Sequence, residues 1–205
     1  MTFRFRDAFR HLRVVSIGLL LAAPLALAGP PKDAPLPGDS IYQLPVKLTD
    51  QDGKTRDWRN LRGKPRVVSM FYTSCRYICP LVVDSGKAVE HRLTPAQRQR
   101  IGLVLVSMDP ARDDAAALKK VAEQRRLDTK RWTLAAPPKD DVRSVAGVLG
   151  IKYRALADGE FNHTSALVLL DREGRIVART EQIGSKLDPE FVAEVRRVIK
   201  AAPAR

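Results

Sequence analysis

The chain has 205 residues, a length typical of one folded domain, and 44% of them are hydrophobic, which is enough for an ordinary globular core. The formal net charge of +13 favours anionic membrane surfaces or acidic partner proteins, with a merely solvated basic surface as the alternative. No nucleic-acid-binding motif and no glycine-rich phosphate loop are recognisable. The sequence therefore excludes nucleic acid and nucleotides from the expected partners.

The first 28 residues have the parts of a secretory signal peptide. Four arginines precede an apolar stretch at 14–27, and Ala26-Leu27-Ala28 has the small-x-small pattern of a cleavage site. The stretch is short for a membrane span, which takes about 20 residues, and Pro24 interrupts it. We predict a signal peptide at 1–28, with an uncleaved anchor as the alternative. The protein is then exported, to the periplasm or the outer face of the inner membrane.

The folded region begins after a short linker. Residues 29–40 (GPPKDAPLPGDS) are rich in proline and polar residues and predict this linker, which leaves 41–205 as the domain. A strand is predicted at 42–48, and a second strand at 54–57 returns after a turn. The apolar, β-branched run at 66–72 predicts a buried strand that leads directly to the two cysteines.

The rest of the chain alternates helices with strands. Pro80 suits the first turn of a helix, in which Leu81, Ser85, Val89 and Leu93 predict one buried stripe. The further predicted elements are a strand at 101–107, a helix capped by Asp113, a short strand at 133–135, a helix with Val142, Val145, Ala146 and Leu149 inward that ends at Gly150, strands at 165–170 and 175–180, and a last helix opened by Asp188 and Pro189.

This order of elements predicts the fold class. Strands that alternate with helices indicate a largely parallel sheet covered on both faces, and the final hairpin adds an antiparallel edge. The sequence therefore predicts an α/β, thioredoxin-like fold: a central mixed sheet flanked by helices, with an added N-terminal β-hairpin.

Cys75 and Cys79 are the only cysteines, and they lie where the first core strand gives way to a helix. Residues at i and i+4 share one helix face, so the two sulfurs can converge. The helix N-terminus, together with Arg76, is expected to lower the pKa of the thiols. A bridge across so short a loop would stabilise the fold little. The pair suits either a soft ion such as Cu(I) or Zn(II), or disulfide exchange, and its spacing does not choose between them.

Histidine is the natural candidate for a further ligand. His11 belongs to the predicted signal peptide. His91 lies 12 residues after Cys79 on the same predicted helix, or about 18 Å away, whereas metal–ligand bonds are only about 2 Å long. His163, in a polar turn region before the strand at 165–170, is therefore the remaining candidate.

Three segments carry a family resemblance. Residues 71–80 (FYTSCRYICP) resemble the C-x-x-x-C-P centre of the SCO family, copper-handling proteins for cytochrome c oxidase assembly. Residues 106–113 (VSMDPARD) resemble the family's second block, and 161–164 (FNHT) resemble its histidine block. The three segments occur in the family's order, within a match that runs from about Ile41 to Thr180.

The resemblance implies a copper ion bound by Cys75, Cys79 and His163. It also implies a copper-accepting partner, such as cytochrome c oxidase subunit II, whose binuclear centre receives the metal or whose cysteines are kept reduced. Asp109 and Arg112 look like structural residues near a helix start.

Two departures from the family pattern accompany the resemblance. Residues 76–78 contain no acidic side chain between the cysteines, and Asn162 precedes the histidine where the family often has aspartate. Both changes are expected to lower copper affinity and to leave thiol chemistry intact.

Several functions are consistent with this site. The favoured one is a copper metallochaperone. The main alternative is a thiol–disulfide oxidoreductase in which Cys75 attacks and Cys79 resolves the mixed disulfide. A peroxidase and an inert local disulfide in a binding module are less favoured.

Overall fold

The computed structural model describes residues 34–184 and 186–201. The predicted signal peptide at 1–28 and the first residues of the predicted linker lie outside the described residues. The strands of the described part are β1 (Lys47–Asp50), β2 (Thr55–Asp57), β3 (Arg66–Phe71), β4 (Gly102–Ser107), β5 (Trp132–Ala136), β6 (Tyr153–Ala155), β7 (Phe161–His163), β8 (Leu167–Leu170) and β9 (Ile176–Thr180). Its α-helices are α1 (Ile78–His91), α2 (Pro95–Gln99), α3 (Ala115–Gln124), α4 (Val142–Val148) and α5 (Pro189–Ala201).

Seven strands form one mixed sheet in the order β2-β1-β5-β4-β3-β8-β9, and β6 and β7 form a separate hairpin. The central strands β3, β4 and β5 are parallel, whereas the β1-β2 and β8-β9 hairpins are antiparallel at the two edges. The predicted fold class, a central mixed sheet flanked by helices with an added N-terminal hairpin, is confirmed.

β3 and β4 form the centre of the core because their side chains are almost continuously apolar and buried. A parallel sheet that helices cover on both faces requires such runs. Each fully buried valine or leucine side chain contributes about 1.5–3 kcal/mol relative to an exposed one. The amphipathic helix α5 buries Phe191, Val195 and Ile199, as its 3.6-residue period predicts.

The register of the central strands positions the site. Phe71 at the end of β3 lies opposite Ser107 at the end of β4. Because the two strands are parallel, the loops that follow them leave the sheet at the same edge. The loop that contains Cys75 therefore lies beside the loop at 108–114.

Two predicted details differ from the structure. The first strand begins at Lys47 rather than residue 42, because Tyr42 in a short 3-10 turn is buried and packs edge-on against Trp58 with ring centroids 6.0 Å apart. In the predicted helical stripe, Ser85 and Val89 are buried, but Leu81 is 42% exposed. Leu81 is adjacent to Pro80 in the first turn of α1, where it lies outside the core.

The end of the predicted linker lies against the domain. The buried Arg62 side chain donates hydrogen bonds to the carbonyls of Ala34 and Pro35 and forms an ion pair with Glu173 at 2.6 Å. In the part of the chain that the structure describes, no helix combines the length and the apolar composition that crossing a membrane requires.

Candidate thiol and metal site

The two cysteines lie side by side at the start of α1. Cys75 precedes the helix, which begins at Ile78, and Cys79 occupies its first turn. The backbone N–H of Cys79 donates a hydrogen bond to the Cys75 sulfur over 3.3 Å. Both residues are free thiols, with only 9% and 4% of their surface exposed. The structure thus places the predicted dithiol at a helix N-terminus.

The two thiols differ in acidity. Burial alone would raise the pKa of Cys75, but hydrogen bonding to the backbone and side chain of Cys79 and to the Tyr77 amide lowers it below its usual value. Burial raises the pKa of Cys79 far above its usual range, and hydrogen bonding to Cys75 adds to this. The predicted lowering therefore holds for Cys75 and is wrong for Cys79. Cys75 is the thiol that ionises first.

Asp113 anchors the loop that precedes Cys75. Its buried carboxylate accepts hydrogen bonds from the Thr73 backbone N–H, from the Thr73 hydroxyl and from the Ser107 hydroxyl at 2.6 Å. Asp113 was predicted to cap a helix, but Asp114 caps α3 by accepting from the Ala117 N–H at 2.8 Å. Asp113 instead ties the cysteine loop to the end of β4.

The loop at 108–114 also reaches the β6-β7 hairpin. Arg112 forms an ion pair with Asp109 and donates a hydrogen bond to the Gly159 carbonyl in the turn of the hairpin. Gly159 has φ +80°, a conformation in which glycine is favoured.

His163 lies at the end of β7, opposite Tyr153, rather than in a simple turn region. Burial lowers the pKa of its imidazole, which favours the neutral ring. Its Nδ1 is 3.2 Å from the Thr164 carbonyl, and its Nε2 is buried with no hydrogen-bond partner in the described part of the chain. If Nδ1 carries the proton, Nε2 presents a lone pair, which is the form of histidine that binds a metal.

Tyr72 contacts both Cys75 and the β6-β7 hairpin. Its hydroxyl donates to the Glu160 carboxylate at 2.7 Å, and its carbonyl accepts a hydrogen bond from the Cys75 backbone N–H at 3.3 Å. Its ring packs edge-on against the His163 ring, with centroids 6.0 Å apart. Neither Tyr72 nor Glu160 was predicted as a site residue from the sequence. The available signal for Tyr72 was a hydroxyl at the last position of a largely apolar strand pattern, three residues before Cys75.

The predicted ligands are only partly brought together. Cys75 and Cys79 are adjacent. His163 and Cys75 each contact Tyr72. Within residues 34–184 and 186–201, however, no group of three or more His, Cys, Asp or Glu side chains is placed to hold a metal ion. His91 is exposed at the far end of α1, as predicted.

The fold and the site define a thioredoxin-like protein with a dithiol at the start of its first core helix. Residues 36–200 match the family model SCO1/SenC, so the chain belongs to the SCO1/SenC family. Among curated relatives, the mitochondrial protein SCO2 of Saccharomyces cerevisiae is 26% identical over 164 residues, which cover 77% of this chain and 52% of that protein. The chain spans about half the length of the curated relatives it matches.

Solved structures show the same fold. A SCO1/SenC family lipoprotein from Bacillus anthracis is 21% identical with a TM-score of 0.67, and the match covers 74% of this chain and 91% of that one. ScoI from Bradyrhizobium japonicum, solved with copper bound, is 24% identical with a TM-score of 0.62, covering 75% and 97% of the two chains.

Proposed function

We propose that this protein is an exported metallochaperone that carries one copper ion on Cys75, Cys79 and His163. Two thiolates and an imidazole suit soft Cu(I), and the imidazole helps to retain Cu(II). The observation that carries the proposal is the buried, unpartnered Nε2 of His163 beside Tyr72, which also contacts Cys75. A buried polar atom without a partner is costly, and a bound cation would satisfy it.

The cargo reaches the site by replacing protons on the thiols. Cys75, whose pKa is lowered, supplies the first thiolate, and coordination of the ion then favours release of the proton from Cys79. Among the described residues no three His, Cys, Asp or Glu side chains are placed to hold an ion, so metal binding requires a local movement that brings the His163 imidazole toward the dithiol.

The proposed acceptor is a cysteine-containing copper protein such as cytochrome c oxidase subunit II. Its thiols would displace those of the chaperone one at a time, so the ion is never released into water. The structural relative from Bacillus anthracis is a lipoprotein, which supports an exported location, in the periplasm or on the outer face of the inner membrane. The net charge of +13 would favour an anionic membrane surface nearby.

Replacing His163 by alanine tests the ligand set. A four-ligand metal site contributes about 10–16 kcal/mol, or roughly 3 kcal/mol per ligand, so His163→Ala should weaken Cu(I) binding about 100-fold. The measurement is a competition titration of the reduced protein against a chelator of known affinity. His91→Ala, which removes an exposed imidazole from the other end of α1, is the matched control and should bind as the wild type does. Equal affinity for both variants would contradict the proposal.

The difference between the two thiols supports thiol–disulfide exchange as a second function. The Cys75 thiolate would attack a partner disulfide, form a mixed disulfide and expel one partner thiolate. The more deeply buried Cys79 would then displace the second partner thiol and leave a Cys75–Cys79 disulfide. The His163→Ala variant separates the two functions, since copper binding requires the imidazole and disulfide exchange does not.

A further inference from the structure

We infer that Tyr72 is a positioning residue that ties the β6-β7 hairpin, and with it His163, to the strand that leads into Cys75. The inference rests on the proposed function, because it concerns how one proposed ligand is held relative to the other two. It adds a residue outside the ligand set to the site.

The Tyr72 hydroxyl faces the β6-β7 hairpin. It donates to the Glu160 carboxylate at 2.7 Å and lies 3.5 Å from the backbone N–H of Phe161, both in the hairpin. On the other side of the site, the Tyr72 carbonyl accepts a hydrogen bond from the Cys75 backbone N–H at 3.3 Å.

The ring of Tyr72 extends the same connection. It packs edge-on against Phe161 at 5.1 Å and against His163 at 6.0 Å between ring centroids. Phe161 in turn contacts the ring of Tyr153 on the other strand of the hairpin at 6.2 Å. Tyr72 itself is buried at the end of β3 and cannot move without disturbing the core.

Few other groups hold the hairpin. Among the described residues, the side-chain hydrogen bonds from the rest of the domain to residues 153–163 come from Tyr72 and from Arg112, which bonds the Gly159 carbonyl. Arg112 lies at the turn and its side chain is 43% exposed, so solvent weakens its hold. Tyr72 therefore supplies the buried side-chain contact to the hairpin, through the Glu160 carboxylate and the rings of Phe161 and His163.

Such a tie lowers the entropy cost of metal binding. A ligand on a loosely held hairpin must be ordered when the ion binds, and that ordering subtracts from affinity. With Tyr72 in place, His163 is held against a residue that also touches Cys75, so less ordering remains.

Tyr72→Phe tests the tie, because it keeps the ring and removes only the hydroxyl. A hydrogen bond to a charged group stabilises enough that its loss should speed amide hydrogen exchange in residues 155–163 of the metal-free protein by at least about tenfold. Tyr77→Phe removes a hydroxyl from an 86% exposed tyrosine near the site and should leave this exchange unchanged. Equal exchange in Tyr72→Phe and the wild type would overturn the inference.

Substitutions of Glu160, the acceptor of this hydrogen bond, test the same bond from its hairpin side. Glu160→Ala should speed exchange as Tyr72→Phe does, and it decides the matter if Tyr72→Phe does not fold. Glu160→Gln keeps an acceptor oxygen and should restore much of the protection. Fast exchange in Glu160→Gln equal to that in Glu160→Ala would show that the Tyr72 bond is not the tie.

A purely structural role for Tyr72 would not change how much His163 contributes to copper affinity, so this contribution is a second measurement. The loss caused by His163→Ala should shrink at least about fivefold in the Tyr72→Phe background, since an untethered imidazole contributes less. Tighter copper binding by Tyr72→Phe than by the wild type would overturn the inference. If His163→Ala alone has no effect, the proposed ligand set fails, while hydrogen exchange in the metal-free protein still decides whether Tyr72 ties the hairpin.

Discussion

Replacing Cys75 by serine should lower the affinity of the reduced protein for Cu(I) by more than about 100-fold. This is a larger loss than the removal of one ligand alone would cause. The loss is this large because Cys75 is the thiol whose pKa is lowered, and the thiolate is the form that binds the metal. The remaining thiol, Cys79, has a raised pKa and is protonated in the metal-free protein. The variant therefore loses one ligand and keeps a second that is harder to ionise.

Competition against a Cu(I) chelator measures this loss. Ser74→Ala changes an exposed neighbour of Cys75 and should bind copper as the wild type does. The Cys79→Ser variant, which keeps the more acidic thiol, should retain more affinity than Cys75→Ser. The reverse order would show that the environment of Cys75 does not set the strength of the site.

Asp113→Ala is expected to have the largest effect on stability. The substitution leaves three donors without their acceptor beside a buried site: the Thr73 N–H, the Thr73 hydroxyl and the Ser107 hydroxyl. The Ser107 hydroxyl is buried and the two Thr73 donors are partly buried. A buried donor that loses its acceptor costs about 1–3 kcal/mol. Burial raises the pKa of Asp113, so burying the carboxylate itself costs free energy. The net loss in the free energy of unfolding therefore lies near the lower end of the cost summed over the three donors, about 3–4 kcal/mol.

Urea unfolding of two adjacent variants measures this difference. Asp114→Ala removes only the N-terminal cap of α3 and should cost about 1 kcal/mol. The two aspartates are neighbours in sequence, so unfolded-state effects are closely matched. Equal losses in the two variants would mean that the hydrogen bonds of Asp113 do not hold the cysteine loop.

The same pair of aspartates shows where prediction from sequence stops. Both residues suit an N-cap by composition and position, and only the approach of Thr73, 40 positions earlier in the chain, assigns Asp113 to the loop. The strands β3 and β4 and the helix α5 were predictable because hydrophobic periodicity is a local property. The β6-β7 hairpin was not, because its three-residue strands are mostly half-buried or exposed and carry no period.

Part of the site was likewise predictable from the local sequence, and part was not. The dithiol at a helix start follows from the spacing of Cys75 and Cys79 and from the strand that precedes them. The bond between Tyr72 and Glu160 joins residues 88 positions apart and has no local signature. Its detection required the fold, which places the end of β3 against the hairpin.

X-ray absorption at the copper edge of the reduced, copper-loaded protein tests most directly whether a dithiol and a distant imidazole meet at one ion. Scattering from two sulfurs and one imidazole nitrogen, with the nitrogen contribution absent in His163→Ala, is the predicted result. A spectrum that is identical in the wild type and in His163→Ala, or that lacks sulfur neighbours, would contradict the proposed site.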